Sequence, residues 1–212
     1  MPAIDDKLKQ SINNMKNKVL QIVLALVIIV LAFLIYRSID KPLKFEAALK
    51  TRGDVVVEKL KDIRTAQTLF KSIHSRYTTS FDTLEKFVMT GKIPVVKMMP
   101  DPKDTTNTRT IRDTIGFVSI FDSIYAKKDY KLEDFDLIPF AGGDKFEMTA
   151  GTINKGGVNV PVFEVLAPFE AYTKGLPEQL VINRKKESED IGKFPGLKVG
   201  SMTEASTDGN WE

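Results

Sequence analysis

The sequence contains no cysteine and only one histidine, His74. The lack of cysteine excludes a disulfide scaffold, a thiolate zinc site and a cysteine nucleophile. A single imidazole excludes any metal or catalytic site that needs two histidines. Neither sign of charge is in large excess, because 31 basic and 28 acidic residues leave a formal net charge of +3 on 212 residues. That balance excludes a disordered polyelectrolyte and is typical of a globular chain.

One long segment carries no charge at all. Val19 to Tyr36 is a run of eighteen residues in which Gln21 is the only strongly polar side chain. As an α-helix this run would span roughly 27 Å, which is close to the thickness of a bilayer's hydrocarbon core. We therefore expect a membrane helix over residues 19–36.

We expect this helix to be retained as a signal anchor. A cleaved leader is the first alternative, but its apolar region is usually about 7–15 residues long, and Tyr36 to Asp40 offers no clean pair of small residues for cleavage. A buried core helix is the second alternative, and such helices are rarely apolar on every face. Basic residues do not decide the orientation, since four precede the run and five follow it.

The remaining chain divides by composition. We expect a cytoplasmic tail over residues 1–18, a juxtamembrane linker over 37–53, a folded domain over 54–200 and a polar C-terminal tail over 201–212. Pro42 lacks the N–H that a helix needs, so it predicts a kink or an end to the membrane helix. Gly53 and Asp54 offer a second break and an N-cap.

A seven-residue repeat follows the linker. Leu49, Val56, Ile63, Phe70 and Tyr77 recur at this spacing, which predicts a long amphipathic helix. We expect the stripe of Val56, Ile63 and Phe70 to pack on the domain's own sheet. The alternative is an assembly seam with sister subunits, as in a coiled coil. The charged residues of this helix, Lys59 and Asp62 among them, are expected on the opposite, solvated face.

The rest of the domain predicts short helices and antiparallel strands. Thr79 to Asp82 resembles a capping box that opens a helix, and Gly91 would end that helix. Ile93 to Met98 predicts an edge strand because it contains Pro94. Two apolar alternating segments flank Asn154 to Gly157, which indicates a β-hairpin. The fold class expected is α+β, with an N-terminal membrane helix and an antiparallel sheet.

No catalytic motif is present, so we expect a protein that is not an enzyme and needs no cofactor. Calcium is the one metal alternative, because Asp101, Asp104 and Asn107 place oxygen ligands in one polar segment.

The basic triplet Arg184 to Lys186 is followed closely by Glu187, Glu189 and Asp190, which indicates a solvated helix surface. We therefore expect no nucleic-acid partner.

Several local motifs resemble the type II secretion pseudopilins and type IV pilins. These motifs are the segment Ile63 to Phe70, the turn Tyr77 to Ser80 and the C-terminal Asp208 to Trp211, and they follow a membrane helix as in that family. The resemblance implies a pilin-like shape and a bacterial periplasmic setting, and it offers a calcium loop at Asp208 and Asn210. The family's peptidase site and its glutamate are absent from Lys18 to Val23, so the resemblance implies a shared shape more than a shared filament.

These observations predict a non-enzymatic structural subunit of a bacterial envelope machine, serving secretion or transport or belonging to an energising inner-membrane complex. Its expected location is the inner membrane, with the N-terminus cytoplasmic and the domain periplasmic. The expected partners are membrane lipids and other membrane-protein subunits in a homo- or hetero-oligomer. The alternative is a membrane-tethered periplasmic domain that binds a solute or an envelope component.

Assembly contacts are expected within the membrane helix. Ala25 and Ala32 are its only small residues and lie seven positions apart, and Gln21 lies about one turn before Ala25. Helices in lipid associate through close packing and polar contacts, so these three residues are candidates to line a helix–helix contact. The alternative is that Gln21 lies at the headgroup level and both alanines face lipid.

Overall fold

The structure is a computed structural model of the chain. It describes residues 3–100, 110–126, 128 and 130–212, and the side chains of residues 18–99, 113–126, 128 and 130–212. The chain divides into two units, Met1–Ala48 and Leu49–Glu212.

Helix α1 spans Ala3–His74 and includes Pro42. The helix therefore does not end at Pro42 or at Gly53, which were expected to kink or end it and to break it, and the segment expected as a linker is helical. A proline removes one helix hydrogen bond, but the flanking residues can continue the ladder. Asp40 and Lys44 bracket Pro42 and form an ion pair of 2.7 Å at i, i+4 spacing, which supports the helix at this point.

The first unit contains the apolar segment of α1. Every side chain from Val19 to Tyr36 is exposed, and the most apolar window has a mean hydropathy of 3.1. By length and composition this helix could cross a membrane as an anchor, or it could act as a signal sequence.

The second unit mixes helices and antiparallel sheets, as the predicted fold class requires. Its elements after α1 are α2 (Phe81–Thr90), β1 (Lys92–Pro100), β2 (Thr110–Ser119), a π-helix (Phe121–Tyr125), a 3-10 helix (Leu132–Asp134), β3 (Glu147–Lys155), β4 (Val158–Pro168), α3 (Phe169–Tyr172), α4 (Glu178–Asp190) and β5 (Gly196–Gly200). Strands β1 and β2 form one sheet, and β3, β4 and β5 form another in the order β3-β4-β5. All described strand pairs are antiparallel.

Local signals predicted several of these elements. Helix α2 begins one residue later than expected, since Ser80 and not Thr79 is the N-cap and accepts a bond from the N–H of Thr83 at 3.3 Å. Gly91 ends α2, as predicted. A Cβ at this position would collide with the carbonyl oxygen of Phe87 and the side chain of Ile120.

The hairpin between β3 and β4 also follows the prediction. Lys155 pairs with Val158 at its end, and Gly156 and Gly157 in the turn have φ angles of +60° and +84°. These left-handed values are easy only for glycine. Strand β5 was not predicted, and it extends the sheet at the outer edge of β4.

The predicted stripe of α1 lies in the core of the second unit. Val56, Ile63 and Phe70 are buried together with Leu60 and Ala66. Tyr77 follows the helix and packs on Phe163 of β4, with ring centroids 4.6 Å apart. A lateral contact through this stripe would therefore first have to displace the chain's own core.

Candidate functional site

Two charged residues in the described part of α1 are buried, contrary to the expectation of a solvated face. Lys59 retains 5% of its exposure and Asp62 7%. Lys59 lies three residues after Val56 and four before Ile63, and such neighbours share a helix face. The spacing of Lys59 within the stripe is thus the signal that could have revealed its burial.

The Lys59 amine is held by backbone carbonyl groups and aromatic rings. It donates to the carbonyl oxygen of Leu137 at 2.6 Å and to that of Asp134. The nitrogen also lies 4.9 Å from the ring centre of Tyr130 and 6.0 Å from that of Phe146. These carbonyl bonds fix the end of the 3-10 helix and the segment after it to α1.

Burial lowers the pKa of the Lys59 amine from its usual 10.5 to about 8, and the carboxylates of Asp134 and Asp136 offset part of that shift. Removal of the ammonium ion from water disfavours its charged form. Near neutral pH this lysine is mostly charged, and it loses its proton more readily than a solvated lysine does.

The Asp62 carboxylate holds a second segment of chain. It accepts a hydrogen bond from the Tyr130 hydroxyl at 2.8 Å and forms an ion pair with Lys128 at 2.9 Å. The Tyr125 hydroxyl donates to the backbone carbonyl oxygen of Asp62 at 3.1 Å. Burial, followed by the charge of Asp62, raises the pKa of Tyr125 and of Tyr130, so both hydroxyls stay protonated as donors.

A cavity of about 770 Å³ opens beside these residues. Val55, Leu137, Ile138 and Pro139 form its apolar wall, and the remaining lining comes from Glu58, Lys59, Lys128, Tyr130 and Asp134. Cavities of this volume, with a mainly apolar wall and a few polar groups, accommodate small molecules or a partner's side chains. The lysine amine and the tyrosine hydroxyl of this lining already form hydrogen bonds within the protein.

The predicted membrane contact residues lie elsewhere, in the first unit. Gln21, Ala25 and Ala32 are all exposed along α1. Positions four and seven apart lie on one side of a helix, so α1 carries the three residues on a common face. Whether a second helix covers that face stays a prediction.

The residues expected to offer a calcium loop take part in attaching the C-terminal segment. The Asn210 side chain accepts a bond from the N–H of Lys198 at 3.0 Å and donates to the carbonyl oxygen of Gly196 at 2.9 Å. Asp208 accepts a bond from the Ser206 hydroxyl at 2.8 Å. Within the described part of the chain, no cluster of three histidine or carboxylate side chains could hold a metal ion. The other calcium candidates, Asp101, Asp104 and Asn107, lie outside the described residues.

The basic triplet lies on α4, as the charge pattern indicated. Arg184 forms an ion pair with Glu187 at 2.7 Å, and Lys185 forms one with Glu170 at the same distance. These cations are therefore partly neutralised by neighbouring carboxylates on the surface.

Comparison with known proteins gives no relative from which a role could be transferred: no family model, no curated protein and no solved structure matches the chain.

Proposed function

We propose that this chain is a membrane-anchored, non-enzymatic structural subunit of a bacterial envelope machine. The observation that carries the proposal is the exposed apolar segment of α1 from Val19 to Tyr36. An exposed, uncharged run of eighteen residues with one strongly polar side chain is costly in water and favourable in lipid. The folded second unit then acts on one side of the inner membrane, and the proposed side is the periplasm.

The machine proposed serves secretion or transport, or energises another inner-membrane complex. The pilin-like motifs of the sequence support this role by resemblance. The exposed apolar hairpin of β1 and β2 supports it on physical grounds, because large apolar patches on a protein surface are typical of interaction sites.

Single-cysteine labelling tests the anchor and its orientation. The chain has no cysteine of its own, so Ser11→Cys and Val158→Cys each introduce one thiol. Val158 is 63% exposed at the β3–β4 hairpin. With a maleimide that does not cross membranes, intact spheroplasts should label the Val158→Cys protein, while Ser11→Cys should react only after lysis. The reverse pattern, or release of the chain by alkaline carbonate, would contradict the proposal.

Copurification tests the subunit role. Full-length protein extracted in a mild detergent should elute with other membrane proteins at a fixed stoichiometry. A protein that elutes alone, with no partner and no second copy, would contradict a structural role in a machine.

A second candidate function is a membrane-tethered binding domain, and the cavity beside Lys59 favours it. The test is native mass spectrometry of the gently extracted protein, which would reveal a retained small molecule. Val55→Trp should fill the cavity and abolish retention, because Val55 is part of its apolar wall. Val158→Trp is the matched control at an exposed position remote in sequence.

A further inference from the structure

The β1–β2 hairpin exposes an unusual amount of apolar surface. Among the described strands, β1 and β2 pair only with each other. A two-stranded sheet by itself is marginally stable in water, and contiguous apolar patches mark contact sites. Among the described side chains of this hairpin, seven large apolar ones are exposed: Val95, Val96, Met98, Met99, Ile115, Phe117 and Val118.

One face of this hairpin combines apolar side chains with one base and one acid. Lys97 and Asp113 lie directly opposite each other in the strand register, and both are exposed. Side chains alternate along a strand, so Val95 and Met99 flank Lys97 on the face that Asp113 shares. We name Val95, Lys97, Met99 and Asp113 the Lys97 face.

The charges of the Lys97 face suit a second copy of the same face. In a two-fold symmetric contact the same surface of each copy meets. If a first residue of one copy contacts a second residue of the other, the second residue of the one copy also contacts the first residue of the other. An axis parallel to the strands, passing between Lys97 and Asp113, would bring Lys97 of each copy opposite Asp113 of the other. Two ion pairs would then form together, flanked by Val95 and Met99 of each copy.

We propose that the Lys97 face docks on the Lys97 face of a second copy of this chain. The inference rests on the subunit role proposed above and deepens it, because it names one partner and one contact surface. A bilayer is the less suitable occupant. Lys97 and Asp113 give the face no net charge, whereas binding to anionic lipid relies on an excess of basic residues. The segment that joins the strands, residues 101–109, also contains no large apolar residue for insertion into lipid.

Charge reversal in the full-length protein tests the proposal. Lys97→Asp and Asp113→Lys each place like charges across the two-fold contact, which is destabilising. In detergent solution the dissociation constant for self-association of each variant alone should be at least about ten-fold higher than that of the wild type. An equimolar mixture of the two variants should recover wild-type affinity, because unlike charges then face each other at both positions.

The mixture separates docking from damage to the hairpin. Each single variant also places like charges across its own strands, and mixing does not change that, so only a contact between copies explains a recovery. Lys86→Asp on the exposed surface of α2 is the matched control and should leave self-association unchanged. Unaltered association of the reversed variants, or weakened association that the mixture does not restore, would overturn the proposal. The protein could still copurify with other membrane proteins if the Lys97 face does not dock on itself. Copurification therefore distinguishes failure of the docking proposal from failure of the proposed subunit role.

Discussion

The side-chain amide of Gln67 forms two hydrogen bonds with the backbone of Thr78, in the manner of a paired strand. Its Nε2 donates to the carbonyl oxygen of Thr78 at 2.7 Å, and its Oε1 accepts from the N–H of the same residue at 3.1 Å. Gln67 is fully buried in α1. The pair fixes the turn that leads from α1 to α2, where Ser75 has a φ of +58°.

Replacement of Gln67 should therefore loosen this turn. Gln67→Met keeps the approximate length of the side chain but removes both bonds, and the free energy of unfolding should fall by about 1–3 kcal/mol because two backbone groups lose their partners. Chemical denaturation of the full-length protein in detergent measures this change. Gln179→Met on the exposed surface of α4 is the matched control and should change stability by less than about 0.5 kcal/mol. Equal effects of the two substitutions would contradict the structural role of the Gln67 bonds.

The lowered pKa of Lys59 predicts a pH dependence of stability. The folded protein releases this proton near pH 8, whereas an unfolded lysine releases it near 10.4. Between these values the unfolded state binds more protons, so the contribution of Lys59 to stability increases as the pH rises. Below pH 8 both states are protonated and the penalty for the buried charge is fully present.

The measurement compares the wild type with Lys59→Met by denaturation between pH 7 and pH 9.5. The stability of the wild type relative to the variant should increase across this range. Work above pH 10 is avoided, because the raised pKa values of Tyr125 and Tyr130 make stability fall with pH there. Lys86→Met at an exposed position should show no such trend. A constant difference between wild type and Lys59→Met would show that the amine titrates normally.

Removal of divalent ions should leave the melting temperature of the full-length protein unchanged. The Asp208 side chain already accepts a hydrogen bond from Ser206, and the Asn210 side chain bonds to Lys198 and Gly196, which holds the C-terminal segment to β5. Thermal unfolding in excess chelator, and then after addition of calcium or magnesium, is the measurement. A large loss of stability that calcium alone restores would establish the pilin-like calcium loop and contradict this prediction.

The membrane segment offers a further test of assembly. The triple substitution Gln21→Leu, Ala25→Leu and Ala32→Leu should weaken association with neighbouring membrane helices, because it removes the polar group and both small residues of one helix face. Partner recovery after mild detergent extraction is the readout. Leu20→Ala, Leu24→Ala and Leu31→Ala on other positions of the same helix form the control set. Undiminished recovery with the triple variant would mean that Gln21 lies at the headgroup level and the alanines face lipid.

The sequence alone predicted the elements that depend on interactions between near neighbours along the chain. The uncharged run from Val19 to Tyr36, the buried stripe of Val56, Ile63 and Phe70, and the hairpin turn at Gly156 each follow from spacing within a few turns or residues. Gly91 likewise ended α2 where the sequence placed it. Helical and strand periodicity act between near neighbours, which is why a sequence reveals them.

Only the tertiary structure decided which groups Lys59 and Asp62 bond to. Their partners come from far along the chain, since Leu137 is 78 residues from Lys59 and Tyr130 is 68 residues from Asp62. A charged residue is expected to be exposed to water unless another segment supplies its hydrogen bonds. No local pattern in the sequence predicts which distant segment does so. The same reason explains β5, which joins β4 across the intervening helices α3 and α4, and the self-complementary Lys97 face, which exists only once β1 and β2 are in register.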